Sequence, residues 1–164
     1  MASNAALSLL SRYEALFGLS GEVNAAATIA DTAHVLARRL KYVADVFSWR
    51  YVRLEPEPSA ATTVTRQALL IDGYRGEATI EHIPAATLGR VESDLWKSRK
   101  ARVLEADELA AVRTSLPPHF QRADIVQVYV CPRFGAGELE SLFLFSKRRQ
   151  PFSELDVKFL TLAA

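Results

Sequence analysis

Residues 125–164 read IVQVYVCPRFGAGELESLFLFSKRRQPFSELDVKFLTLAA, and the order of signals in this stretch decides the fold. Two strand-like runs, Ile125–Cys131 and Leu139–Phe145, flank a Pro/Gly turn at Pro132-Arg133-Phe134-Gly135-Ala136-Gly137. The second run is apolar at consecutive positions, Leu142-Phe143-Leu144-Phe145. Such a strand is buried on both faces, so something must cover each side of its sheet. Two glycines in the turn supply positive φ cheaply, as a hairpin with a longer loop requires. Ser153-Glu154-Leu155-Asp156 then has the form of a helix start, with Ser153 and Asp156 placed to cap each other's amides. Phe152, Leu155, Phe159 and Leu162 follow at helical spacing as one apolar stripe. No Gly, Asn or Pro stop signal follows, so the helix is expected to continue past residue 164.

Upstream, residues 4–17 read as a helix with Leu9, Tyr13 and Leu16 on one face, broken at Leu19-Ser20-Gly21. Asn24 is the expected cap of a second helix over 25–41, striped by Ile29, Ala33, Leu36 and Leu40. Val46–Leu54 is rich in aromatic and β-branched residues and reads as a strand. Its alternation places Trp49 and Tyr51 with Phe47 on one face, and Arg50 and Val52 with Val46 on the other. Pro56 and Pro58 end it. Residues 67–71 and 77–83 read as strands joined by Asp72-Gly73-Tyr74-Arg75-Gly76. Helical patterns over 87–97 and 108–115, the latter capped by Asp107, enclose a short strand at 101–104.

The stretch from the strand into Cys131-Pro132, through the glycine turn and second apolar strand, to Phe152-x-x-x-Asp156 opening an apolar helix resembles the C-terminal half of a GAF domain. The upstream order of elements fits the same family over roughly Val23 to Ala164. The resemblance implies an α+β fold: an antiparallel sheet of about five or six strands, helices on both faces, terminal helices packed together. It divides the chain into an N-terminal helix and connection (1–22) and a GAF-like domain (23–164). It further implies a bacterial regulatory module that binds a small molecule and transmits through its terminal helices to an effector beyond residue 164. Members of the family are often dimeric through their terminal helices, so the resemblance also implies a homodimer as one assembly open to the chain. In this chain the terminal stripes either form such a bundle or pack across the chain's own sheet. A ligand-free dimerisation module is the alternative role.

Composition adds bounds. The 164 residues suffice for one domain, and a net charge of +1 gives no electrostatic case for nucleic acid. No secretory signal or membrane-length apolar stretch is present, so a cytoplasmic location is the default. One cysteine, Cys131, allows no internal disulfide. It reads either as a small buried strand-end residue or as a sensor thiol. The free-methionine-sulfoxide reductases of the GAF family use several cysteines, and its bilin-binding members attach through a loop cysteine beside a histidine; Cys131 matches neither. No catalytic constellation, metal-ligand spacing or cofactor motif is indicated. Cyclic-nucleotide-binding members carry Asn-Lys, a spacer and Phe-x-x-x-Asp-Glu. Here Lys147, Phe152 and Asp156 match that pattern, whereas Ser146 and Val157 depart from it, and the matched residues read as maintenance of the fold. Trp49, Tyr51, Trp96, His119 and Phe120 are the expected pocket residues, with the pocket between the sheet and the segment from about Ile83 to Phe120.

Overall fold

The structure, a computed structural model, describes residues 2–44, 46–56, 65–74, 76–115, 125–134, 139–147 and 151–163. Helices α1 (Ala2–Ala25) and α2 (Ile29–Ala44) lead into β1 (Val46–Leu54), then the hairpin β2 (Gln67–Tyr74) and β3 (Glu77–Pro84). A 3₁₀ turn at Ala85–Thr87 precedes α3 (Arg90–Ser98), β4 (Arg102–Val103) and α4 (Ala106–Ser115). The chain then forms β5 (Gln127–Phe134), β6 (Leu139–Ser146) and α5 (Glu154–Ala163). The six strands make one antiparallel sheet ordered β3-β2-β1-β6-β5-β4.

The consecutive apolar run lies where the pattern requires it, in the central strand β6, buried from Ser141 through Ser146. Leu142 and Leu144 enter one apolar cluster with Trp49, Leu69, Ile71 and Tyr129, covered by α1, α2 and α5 through Leu19, Ala33, Leu40 and Leu160. Phe143 and Phe145 enter the other with Val52, Leu70, Val128 and Val130, covered by α3 and α4 through Val91, Leu95 and Val112. Alternating side chains thus feed two cores from one strand. Pro132 lies in β5 beyond the two-residue ladder with β4, where one side of the strand has no neighbour among the described residues. Proline is tolerated at such an edge.

Several boundaries differ from the sequence expectation. The glycines at 18 and 21 do not break α1, which runs on to Ala25. Each glycine costs about 1 kcal/mol against alanine in a helix, and packing of Leu16, Leu19 and Val23 onto the first cluster offsets it. Helix α2 starts at Ile29, and its cap is Thr28 rather than Asn24: the Thr28 hydroxyl accepts from the Asp31 amide at 3.1 Å. A register shift between Val46 and Ser48 turns Val46 onto the Trp49 face, opposite to strict alternation. Glu108, not Asp107, caps the start of α4, its carboxylate accepting from the Glu105 amide at 3.1 Å. The same carboxylate binds the Arg102 guanidinium through two hydrogen bonds. The side-chain hydrogen bond from Arg102 holds the Glu108 carboxyl below the usual carboxylate range.

The most instructive difference is the β2–β3 hairpin. Asp72 and Gly73 read as turn residues, yet both belong to β2, whose pairing with β3 runs on to Tyr74 opposite Glu77, and Gly76 has φ 84°. Asp72 stands opposite Arg50 of β1 and takes its guanidinium in two hydrogen bonds of 2.7 and 2.8 Å, both side chains buried. Gly73 stands opposite Trp49, and a Cβ built on it would overlap the indole Cε2 and Nε1 atoms. The glycine is required for the approach of a ring, not for a turn.

Two stability outcomes follow from this hairpin. Gly73→Ala should destabilise the chain by about 1–3 kcal/mol in urea denaturation, because the indole must move. Asp72→Ala should cost about 3–5 kcal/mol by stranding the Arg50 charge, whereas the double replacement Arg50→Met/Asp72→Leu should recover most of that loss. A Gly73→Ala midpoint equal to that of the parent would refute the ring contact.

Candidate functional site

Between α1, α2 and the sheet lies a cavity of about 410 Å³. Helix α1 contributes Leu16, Leu19, Ser20 and Val23, and α2 contributes Ile29, Thr32, Ala33 and Leu36. Both sets have the i, i+3, i+4, i+7 spacing that lines one helix face. The floor is Trp49 and Tyr51 of β1, Ile71 of β2, and Glu140 and Leu142 of β6. All five occupy the same side of the sheet, as the register requires: Tyr51 pairs with Ile71 on one side and Leu142 on the other.

Trp49 anchors the floor. It is buried, and its indole lies across Gly73. Among the described residues its Nε1–H finds no acceptor. Glu140 brings the charge. Its backbone carbonyl is held from the opposite face by Trp96 of α3, whose Nε1 donates at 3.1 Å. Its side chain lines the cavity. The wall is therefore largely apolar with a few polar groups, the usual constitution of a small-molecule site.

Of the expected pocket residues, Trp49 and Tyr51 come together on this floor. Trp96 is on the other side of the sheet, packed against the second cluster. His119 and Phe120 lie outside the described residues. This cavity lies on the α1–α2 side of the sheet. The helix residues and Glu140 were missed as lining residues. The α2 stripe of Ile29, Ala33 and Leu36 is visible in the sequence, the α1 stripe reaches only Leu16 before its expected break, and Glu140 is a charge in register with Leu142 and Leu144 on an otherwise apolar strand face. What neither signal conveyed was that the helices stand off the sheet.

The motif residues act in the helix start. The Ser153 amide donates to Asp156 Oδ2 at 2.9 Å and the Asp156 amide donates to Ser153 Oγ at 3.2 Å, a reciprocal capping box. Asp156 also takes Arg12 of α1 in an ion pair of 3.0 Å, a partner that the motif does not announce. The Phe152 amide donates to the Gln127 side chain at 3.0 Å, and its ring packs against the first cluster. Lys147 is exposed. On α5 Asp156, paired with Arg12, and Leu160 are buried, whereas Leu155, expected in the apolar stripe, is half exposed.

Cys131 is buried at the end of the first cluster. Among the described residues no group of three or more His, Cys, Asp or Glu side chains is placed to hold a metal, and no helix is long and apolar enough to cross a membrane. On the far side of the sheet, the buried Arg50–Asp72 pair is flanked along β1 by Ser48, whose hydroxyl has no partner among the described residues.

No family model and no curated protein matches the chain. Solved structures do. The GAF domain of an Acinetobacter phosphoenolpyruvate-protein phosphotransferase aligns with TM-score 0.57 and 16% identity over 93% of this chain and 87% of that one. The GAF domain of the corresponding Coxiella burnetii protein aligns with TM-score 0.59 and 14% identity over 94% and 91%. That of a Bacillus halodurans two-component sensor histidine kinase aligns with TM-score 0.54 and 14% identity over 84% and 89%. At these identities the likeness is one of fold. With its six-stranded antiparallel sheet between two helical layers, the chain has a GAF-like α+β fold.

Proposed function

We propose that this chain is a non-enzymatic regulatory sensor domain of a cytoplasmic bacterial signalling protein. A small molecule enters the cavity beneath α1 and α2, and its binding is passed through the terminal helices to an effector beyond residue 164. The observation that carries this reading is the composition of the cavity's walls: one side is the rigid sheet, the other is α1 and α2. An occupant that fits best at one helix position biases the helices towards that position, which is the differential affinity that any switch requires. Helix α1 is tied to α5 through Arg12 and Asp156, so a displacement of α1 reaches the last helix directly. The similar folds of a sensor histidine kinase and of phosphotransferase GAF domains support the regulatory context.

Mass spectra recorded under native and denaturing conditions test the occupancy. A mass lost on denaturation is expected, and hydrogen exchange across residues 16–23 and 154–163 should slow together when the cavity is filled. Exchange that slows in α1 while α5 is unaffected would remove the transmission step. Arg12→Met should uncouple the two helices with a stability loss of about 1 kcal/mol, the scale of a partly exposed pair.

A second reading, a module that dimerises through its terminal helices, is favoured by one specific feature. Leu10 and Phe17 on one face of α1, with Leu155 on α5, are exposed at 56, 76 and 50%. Apolar side chains aligned in this way suit a helix-to-helix contact with a second copy. Light scattering should show a dimer that Phe17→Glu converts to a monomer; a parent chain that is already monomeric at high concentration would exclude this reading.

A further inference from the structure

The two edges of the sheet are closed differently. Strand β4 covers one with only two residues, and beyond it β5 carries Pro132, which has no N–H to offer. The other edge is β3, eight residues long and paired with β2 throughout, from Glu77 opposite Tyr74 to Pro84 opposite Gln67. Ala78 packs on the first cluster and Ile83 on the second, so the strand is tied to both cores. Glu77, Thr79, Ile80, Glu81 and His82 are nevertheless exposed. Alternate residues of such a strand turn their N–H and C=O groups outward. Among the described residues, the backbone of residues 77–83 makes no hydrogen bond beyond the ladder with β2. A row of unpaired backbone groups is a template for a further strand.

Side chains decide what the template accepts. Glu77, Thr79 and Glu81 project on one face of β3, and Ala78, Ile80 and His82 on the other, where His82 meets Glu55 at 3.1 Å. Glu77 stands opposite Tyr74 and Glu81 opposite Leu70. Glu81 is the more isolated charge: Leu70 and then Val52 fill its row across the sheet, whereas Arg75 lies two residues from Glu77 in the chain. A second copy is a poor occupant of this edge. A two-fold axis normal to the sheet sets Thr79, Ile80 or Glu81 opposite its own counterpart. The first register brings Glu77 against Glu81 of the other copy, and the third brings the two Glu81 side chains together. The second leaves each Glu81 diagonal to Glu77 and Glu81 of the other copy. Like charges directly opposite are destabilising, and diagonal neighbours are still within reach of long side chains.

We propose that the β3 edge docks a basic polypeptide segment in extended conformation, which adds a further strand to the sheet. Its lysine or arginine side chains lie beside Glu77 and Glu81, and apolar side chains lie beside Ala78 and Ile80. Backbone hydrogen bonds along the edge supply the affinity, and the two carboxylates select the sequence. The same carboxylates that deter a copy of this strand attract one of opposite charge. This surface is separate from the cavity beneath α1 and α2, so it does not depend on what the cavity holds.

The probe is acetyl-Lys-Val-Thr-Val-Lys-amide, whose palindromic order fits parallel and antiparallel pairing alike; its control has glutamate in place of both lysines. Each is titrated into the ¹⁵N-labelled 164-residue chain. The lysine peptide should shift the amide signals of β3 saturably and slow the exchange of alternate amides along it. The glutamate peptide should bind at least roughly tenfold more weakly, the scale of one charge-assisted contact. Glu81→Lys, at an exposed position, should leave the thermal midpoint unchanged and reverse the preference between the two peptides. Methylating the peptide's own amides at alternate residues, in two complementary sets, should abolish binding with one set and spare it with the other. Equal binding of the two peptides, tolerance of both methylated sets, or no shift in β3 at millimolar peptide overturns the proposal. Protection of alternate β3 amides that rises with chain concentration in the absence of peptide assigns the edge to a second copy and overturns it as well.

Discussion

The central pair β1 and β6 is buried on both faces, and the rest of the molecule answers to that constraint. A sheet whose middle strand sends Leu142 and Leu144 one way and Phe143 and Phe145 the other must be covered twice. The chain supplies the two covers from different sources. Helices α3 and α4, with β4 between them, cover one side. The other is covered by α1 and α2 from the beginning of the chain and α5 from its end, so the termini meet on one layer. The Arg12–Asp156 pair joins them there. Its carboxylate serves two purposes, capping α5 through Ser153 and receiving α1.

The two layers are not equivalent. On the α3–α4 side the large aromatics Phe143 and Phe145 pack into the second cluster, and a buried Arg50–Asp72 pair fixes β1 against β2. Such a pair adds little net stability, but loss of either partner is severe, so it is better understood as holding register than as strengthening the sheet. On the α1–α2 side the sheet offers Leu142 and a tryptophan drawn sideways over Gly73. The helices line that side with Ala33, Leu16 and Val23, and a cavity is left between them and the floor. The same layer therefore holds both the Arg12–Asp156 link between α1 and α5 and the cavity.

Much of this was legible in the residues. The consecutive apolar run placed β6 at the centre, Ser153 and Asp156 formed the capping box that their spacing indicated, and β1 spans the residues its composition marked. These are local signals with periods of one to four residues, and the GAF resemblance rested on their order. Where the local reading failed, a distant residue had overruled it. Asp72-Gly73 has the composition of a turn, but Arg50 and Trp49 claim both residues for β2. The glycines in α1 read as a break, but burial of Leu16, Leu19 and Val23 carries the helix through them. Leu155 fits the stripe of α5, but Asp156, paired with Arg12, and Leu160 are the buried residues there and Leu155 is half exposed.

By itself, then, the sequence determined the fold class, the central strand, the helix caps of the last element and two aromatic residues of the cavity floor. Each is written in spacing that the backbone's own periodicity converts into structure. Only the tertiary structure decided on which side of the sheet the cavity opens, that Glu140 enters it and Trp96 does not, and that Arg12 reaches Asp156. These depend on how far a helix stands from a strand more than a hundred residues away or across the sheet. That distance is set by the summed volumes of side chains that meet only after folding.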